Sequence, residues 1–303
     1  MGISDLGPEL LDLILARLPL RDAARASVLS VAWCRSWRHL SDLDFTSPRA
    51  AVCDREAIDG VLLHHAGPVR SVRAKITDDI LPGVHGWIEA LSQQGLQSLD
   101  LTFTPPSVPS SLMQDLPGSI FSCHALKDIV LAGCLLPAVP ASFTGFPSLT
   151  KLRIKCSSFH KGSDLELIIS MSRKLEELTL KVLLVAGCDE RQELRMESSS
   201  LWFLDIYGHI NITWVGARLP RMSYANFADA SPGGSVVNLL RGMESSLEKL
   251  VYSFSTHVPH HSTMQRACFH AIDLIQSKNA SYGRDRYKEE KIKPTYSRGN
   301  MQI

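Results

Sequence analysis

The side chains best suited to chemistry gather near the end of the chain: His257, His260 and His261, with Cys268 and His270 behind them. Imidazole and thiolate groups ligate zinc when three or four of them converge on one point. Their spacing here fits no standard zinc motif, and the stretch around them is polar and punctuated, so the group reads as a solvated tail. The basic run Arg284, Arg286, Lys288, Lys291 and Lys293 is interrupted by Asp285, Glu289 and Glu290. Such mixing of signs describes a solvated segment better than a nucleic-acid patch. No G-x-S-x-G elbow, P-loop, dinucleotide glycine fingerprint or H-E-x-x-H helix occurs in the sequence. The expectation is a binding protein without a catalytic residue, metal or cofactor of its own.

Bulk properties agree with that reading. The 303 residues carry 32 basic and 31 acidic side chains, a net charge of +1, so nothing global draws the chain to nucleic acid or an anionic membrane. Seven cysteines are scattered without a Cys-x-x-Cys pair, the usage of reduced thiols. No stretch approaches 18 apolar residues, and no basic segment precedes an apolar one at the N-terminus, which leaves a cytoplasmic or nuclear protein as the expectation.

A recurring template supplies the elements. From Leu96 onward L-x-x-L-x-L returns as Leu96, Leu99, Leu101; Leu126, Ile129, Leu131; Leu149, Leu152, Ile154; Leu175, Leu178, Leu180; Leu201, Leu204, Ile206; and Leu247, Leu250, Tyr252. A weaker copy is Leu219, Met222, Tyr224. The first five copies start 30, 23, 26 and 26 residues apart, the period of leucine-rich repeats. Each copy predicts a short parallel strand whose last two apolar residues lie on one inward face. The intervening residues must bring the chain back, and residues 163–172 and 233–243 have helix-compatible patterns for that return. Weaker matches at Val69, Val72, Ala74 and at Leu40, Leu43, Phe45 carry the register back towards the N-terminus. In the second copy Cys134 and Leu136 complete the repeat template, so Cys134 is expected to be buried and structural.

Residues beside the inward pair must point out, on the concave face of such a solenoid. They are Lys151, Arg153 and Lys155; Glu177, Thr179 and Lys181; then Phe203, Asp205 and Tyr207. Cations beside exposed aromatics could hold an acidic or phosphorylated segment of a protein target. An ordinary solvated sheet face is the alternative.

The most densely patterned stretch is Leu6 to Trp37. Pro8 suits a first helical position, and Leu10, Leu11, Ile14, Leu15 and Leu18 recur at helical spacing. Pro19 ends that helix, and Asp22 can cap a second. Three helices of two or three turns cannot hide so many large apolar side chains among themselves, which points to a partner or a cap on the first repeat.

The spaced set Leu6, Glu9, Leu10, Leu11, Ile14, Leu15, Leu18, Pro19, Asp22, Ala23, Arg25, Ser27, Leu29, Ser30 and Trp33 resembles an F-box. Gly7-Pro8 sets the first proline one place late, and Val31-Ala32 stands where a basic residue is usual before the tryptophan. With the WRHLSDLDF junction and the irregular repeats, the chain resembles the plant F-box/leucine-rich-repeat family over about 250 residues. Residues 256–303 are polar and punctuated and read as a poorly ordered tail. The resemblance implies an α/β chain: a three-helix F-box over 1–45 and an irregular leucine-rich-repeat solenoid over 46–255 with a parallel sheet on its concave face. It also implies a substrate-recognition subunit of a cullin-RING ubiquitin ligase. A Skp-type adaptor would dock on Leu6, Pro8, Leu10, Leu11, Ile14, Leu15, Leu18 and Pro19, with Trp33 supporting the packing, and the repeats would hold a protein target. The two departures leave open a leucine-rich scaffold or inhibitor without adaptor binding.

Overall fold

The computed structural model describes residues 8–15, 17–18, 20–26, 37–46, 55–104, 113–185, 192–210, 212–228, 238–240, 242–243, 246–253, 295–297 and 300–302. They fall in two compact units, Met1–Pro137 and Ala138–Ile303.

In the first unit, helix α1 (Pro8–Leu15) begins on the proline that the sequence offered as a first helical residue, and α2 (Leu20–Ala26) follows. Leu15, Leu20, Ala23 and Ala26 are buried. The expected third helix, with Trp33, lies outside the described residues. A 3-10 turn at Trp37–His39 leads into strand β1 (Asp42–Asp44). Then come α3 (Arg55–His64), β2 (Ser71–Ile76), α4 (Leu81–Ser92) and β3 (Ser98–Phe103). After β4 (Gln114–Asp115) and a 3-10 turn at Gly118–Ser122 the chain forms β5 (Asp128–Ala132) and β6 (Cys134–Leu136). Strands β1, β2, β3 and β5 pair side by side, all parallel, with Leu43, Val72, Leu99 and Ile129 in one register row. All four are buried, as are Leu96, Leu101, Leu126 and Leu131. The WRHLSDLDF junction therefore supplies the first strand of the repeat sheet. On the opposite face Arg73 reaches Asp44 at 3.5 Å and Asp100 at 3.1 Å.

The second unit starts with β7 (Lys151–Phe159), α5 (Gly162–Met171) and β8 (Glu177–Val185). The helix occupies the return segment that its pattern predicted; Leu165, Ile168 and Ile169 are its buried face. The chain next alternates between two sheets through β9 (Gln192–Glu197), β10 (Phe203–Ile210), β11 (Ile212–Arg218) and β12 (Tyr224–Ala228), and then adds β13 (Lys249–Ser253) beside β12. Strands β7, β8, β10, β12 and β13 are parallel neighbours, and β9 pairs in parallel with β11. Both of those return passes are strands, which the repeat template did not specify. In the second expected return helix, Asn238–Leu240 is helical; most of the remainder of 233–243 is outside the described residues.

One repeat is re-registered. The weak copy placed Tyr224 inward, but β12 pairs Ala225 with Leu204 and Phe227 with Ile206, and those two residues are buried. The inward set is therefore Met222, Ala225 and Phe227, and Tyr224 faces out.

Little of the tail can be compared with expectation, since residues 254–294 lie outside the described set. Within it, β14 (Thr295–Ser297) pairs antiparallel with β15 (Asn300–Gln302), which pairs antiparallel with β13. Cys123, Cys134 and Cys156 form no disulfide. Cys134 is buried as expected, and burial pushes the Cys123 thiol up to about 11. No helix among the described residues is long and apolar enough to cross a membrane.

Candidate interaction surfaces

Helix α1 is short, amphipathic and only partly covered. Leu15 is 0 % exposed, whereas Leu10 is 52 %, Leu13 59 %, Ile14 37 % and Leu18 38 % exposed. At about 100° per residue, Leu10, Leu13 and Ile14 fall within a single arc of roughly 100°, and Leu15 lies outside it. The helix thus splits the stripe read from the sequence. Leu15 belongs to the packed interior and cannot touch a partner directly, which corrects its place among the docking residues. Leu13, which the spacing argument passed over, joins the exposed row. Pro8 is the first residue of α1. Leu6, Pro19 and Trp33 lie outside the described residues.

The second surface is the outward face of β7, β8, β10, β12 and β13. Parallel register builds it as rows, because residues two apart on a strand share a face and neighbouring strands run in step. The first row is Lys151, Glu177, Phe203, Tyr224 and Lys249; the second is Arg153, Thr179, Asp205, Asn226 and Val251; the third begins Lys155, Lys181, Tyr207. All eight residues nominated for target binding are therefore brought onto one face. They are not equivalent. Lys151 Nζ meets Glu177 Oε1 at 2.8 Å, and the Arg153 guanidinium lies 3.9 Å from Glu177 Oε2. Partly exposed pairs of this kind contribute about 0–1 kcal/mol each, so their main effect is to set local charge. Half-buried Lys155 and exposed Lys181 sit side by side in register without a carboxylate between them.

Along the same rows the aromatic side chains are organised. Phe203 stacks on Tyr224 with ring centres 4.7 Å apart and planes at 3°, and Trp202 meets Phe203 edge-on at 5.8 Å. The Lys249 ammonium lies 5.6 Å from the centre of the Tyr224 ring, in cation–π range. Asp205 departs from the sequence expectation of an exposed residue: it is 9 % exposed, and Asn226, its neighbour in the row, is 8 % exposed. Asn226 Nδ2 donates to Asp205 Oδ1 at 2.8 Å. Burial pushes the Asp205 carboxyl up, opposed by hydrogen bonds from Tyr207 and Asn226. The Tyr207 hydroxyl is raised by burial and then by the Asp205 acceptor beside it; Tyr224 is raised by burial and by the Asp205 charge. The sequence pattern does not reveal Asn226 and Tyr224 as part of this face, because the weak repeat matches the template three residues early.

Among the described residues, no group of three or more His, Cys, Asp or Glu side chains is placed to hold a metal. The tail residues His257, His260, His261, Cys268 and His270, like the basic run after them, are outside the described set.

The F-box domain model matches residues 3–44, and the model of the leucine-rich repeats of the FBD-associated F-box protein At5g56370 matches residues 84–217. The chain belongs to the plant F-box/leucine-rich-repeat family. Its fold is accordingly an N-terminal F-box followed by a leucine-rich-repeat region. In Arabidopsis thaliana the F-box/FBD/LRR-repeat protein At1g13570 is 33 % identical over 162 residues, covering 50 % of this chain and 37 % of the relative. F-box/LRR-repeat protein 13 from the same plant is 27 % identical over 249 residues, 78 % of this chain and 53 % of the relative. Putative F-box protein At1g49610 is 29 % identical over 212 residues, 69 % of this chain and 50 % of the relative. The chain spans between about a third and a half of the length of these relatives.

Proposed function

We propose that this F-box/leucine-rich-repeat protein is a non-catalytic substrate receptor of a cullin-RING ubiquitin ligase in the cytoplasm or nucleus. The F-box segment docks a Skp-type adaptor, and the outward sheet face of the second unit holds a protein target. The observation that carries the reading is the row Leu10, Leu13 and Ile14 on the first helix, with Leu18 in the turn that follows, large aliphatic side chains left open in a segment that matches the F-box model. A chain in water gains about 1.5–3 kcal/mol for each such side chain that a partner covers, so the row is suited to docking. The receptor then works by proximity, holding a target lysine near a ubiquitin-charged conjugating enzyme and raising its effective concentration. That mechanism asks for two binding surfaces and no nucleophile.

Co-purification with a purified Skp-type adaptor is the test. The parent chain should retain the adaptor, and the double variant Leu10→Asp/Ile14→Asp should weaken retention at least about tenfold, because two charges would be buried in an apolar contact. Undiminished retention by the double variant would rule out this surface. Absence of adaptor binding by the parent chain would favour the scaffold reading.

A further inference from the structure

The centre of the outward face of the second unit is built differently from its margins. Lys151, Lys155 and Lys181 are half-buried or exposed, as solvated lysines usually are. Asp205 and Asn226 are more than nine-tenths buried on that same face. Phe203 and Tyr207 flank Asp205 two residues away on its own strand, and Tyr224, stacked on Phe203, flanks Asn226 on the next. Three aromatic residues thus neighbour the carboxylate on this face, with Thr179 across on β8.

Hydrogen bonding fixes how the Asn226 amide is oriented. Asn226 must turn its Nδ2 to Asp205 Oδ1, because the flipped amide would set two oxygens against each other. Its Oδ1 is then left buried with no hydrogen-bond partner among the described residues. Asp205 makes no ion pair there either: its partners are Asn226 and the Tyr207 hydroxyl. A buried carboxylate without a cation, beside an amide oxygen without a donor, is costly to maintain in a free protein. Both are acceptors. What satisfies them together is a cation with several N–H groups in a plane, and aromatic neighbours favour a flat, weakly hydrated one.

Resting on the target-capture reading above, we infer that the target presents an arginine side chain whose guanidinium docks between Phe203, Tyr207 and Tyr224 onto Asp205 and the Asn226 amide oxygen. This reverses the polarity suggested by the sequence, in which the lysines invited an acidic or phosphorylated segment. Lys151 and Arg153 are already drawn to Glu177, and Lys249 to the Tyr224 ring. These cations form a rim that would reject a highly basic segment, so a single arginine in a neutral or acidic sequence is the matching ligand.

The test uses the whole chain and three synthetic peptides: Gly-Ser-Gly-Arg-Gly-Ser, the same peptide with citrulline for arginine, and the same with phosphoserine. Binding is read from the tyrosine ring signals in NMR titrations. The arginine peptide should shift the Tyr207 and Tyr224 rings, and the citrulline peptide should bind about ten- to a hundredfold more weakly, since it keeps the shape and loses the charge. Asp205→Asn should erase the preference for arginine, and Lys174→Ala, at an exposed position outside the three rows, should leave it intact. Preferential binding of the phosphoserine peptide, no binding of the arginine peptide, or an unchanged arginine preference in Asp205→Asn would each overturn the inference. Target labelling in cells separates this from the broader reading: a Phe203→Ala/Tyr207→Ala variant that loses its targets while Asp205→Asn keeps them preserves target capture and removes the arginine.

Discussion

Asp205 is a residue whose effect on stability and proposed role in binding pull in opposite directions. Burial raises its carboxyl above the ordinary value near 3.8, so over the interval above that value the native state holds a proton that the unfolded chain has lost. Stability therefore falls as pH rises through the interval, and the penalty is fully present above the native value. The groups facing it are the hydroxyl of Tyr207 and the amide of Asn226, with the Tyr224 ring beside them; all are uncharged at neutral pH. Asp205→Asn removes the charge and keeps an oxygen for the Asn226 amide. Urea unfolding should show the variant more stable than the parent at pH 7, with the difference closing as pH approaches about 4. An equal gain at both values would mean that charge burial is not its source. A residue kept against a stability cost is what a binding site requires.

The order of strands was legible in the sequence because every repeat buries the same three positions. Leu96, Leu126, Leu149, Leu175 and Leu201 are all at most 1 % exposed, and each precedes a strand of the parallel array. Where the apolar signature thins, legibility fails for an identifiable reason. Ala225 is too small to mark an inward position, so Leu219, Met222 and Tyr224 offered a false match in place of Met222, Ala225 and Phe227. The corrected start at Met222 divides the long interval between Leu201 and Leu247 into 21 and 25 residues, which restores the period. Strands β9 and β11 carry too few alternating apolar residues to announce themselves, and their partners are more than a dozen residues away in sequence. The face of the second unit was legible in outline, since inward leucines fix outward neighbours; the burial of Asp205 was not, because its neighbours Tyr224 and Asn226 come from β12, whose register the weak copy misplaces. Turn geometry matters as much as the strands. Gly145 has φ of 94°, and a Cβ there would collide with the Met171 carbonyl oxygen. Gly145→Ala should therefore lower unfolding free energy by about 2–4 kcal/mol, combining left-handed strain with a backbone clash. Gly118, where a Cβ would meet no atom within 4 Å, is the control: Gly118→Ala should change stability little in the same denaturation assay.

At the scale of the molecule, the proposed function requires that the two surfaces act separately and that both be present. Leu10 and Ile14 belong to the first compact unit and the Asp205 face to the second, so each surface is altered by its own set of substitutions. Proximity then makes a specific demand: a receptor blind to the adaptor should still find its target, whereas one blind to the target should still enter the ligase. Proximity labelling in plant cells, with the parent, Leu10→Asp/Ile14→Asp and Phe203→Ala/Tyr207→Ala, measures both contacts at once, and a chase after blocking translation measures target lifetime. The first variant is expected to label the same targets while losing the adaptor and lengthening target half-life. The second should keep the adaptor and lose the targets, with the same lengthening of half-life. Should Leu10→Asp/Ile14→Asp lose its targets together with the adaptor, target binding would depend on assembly and the independent bridge would fail. Should target half-life stay unchanged in both variants, the chain would be a scaffold whose contacts do not lead to turnover.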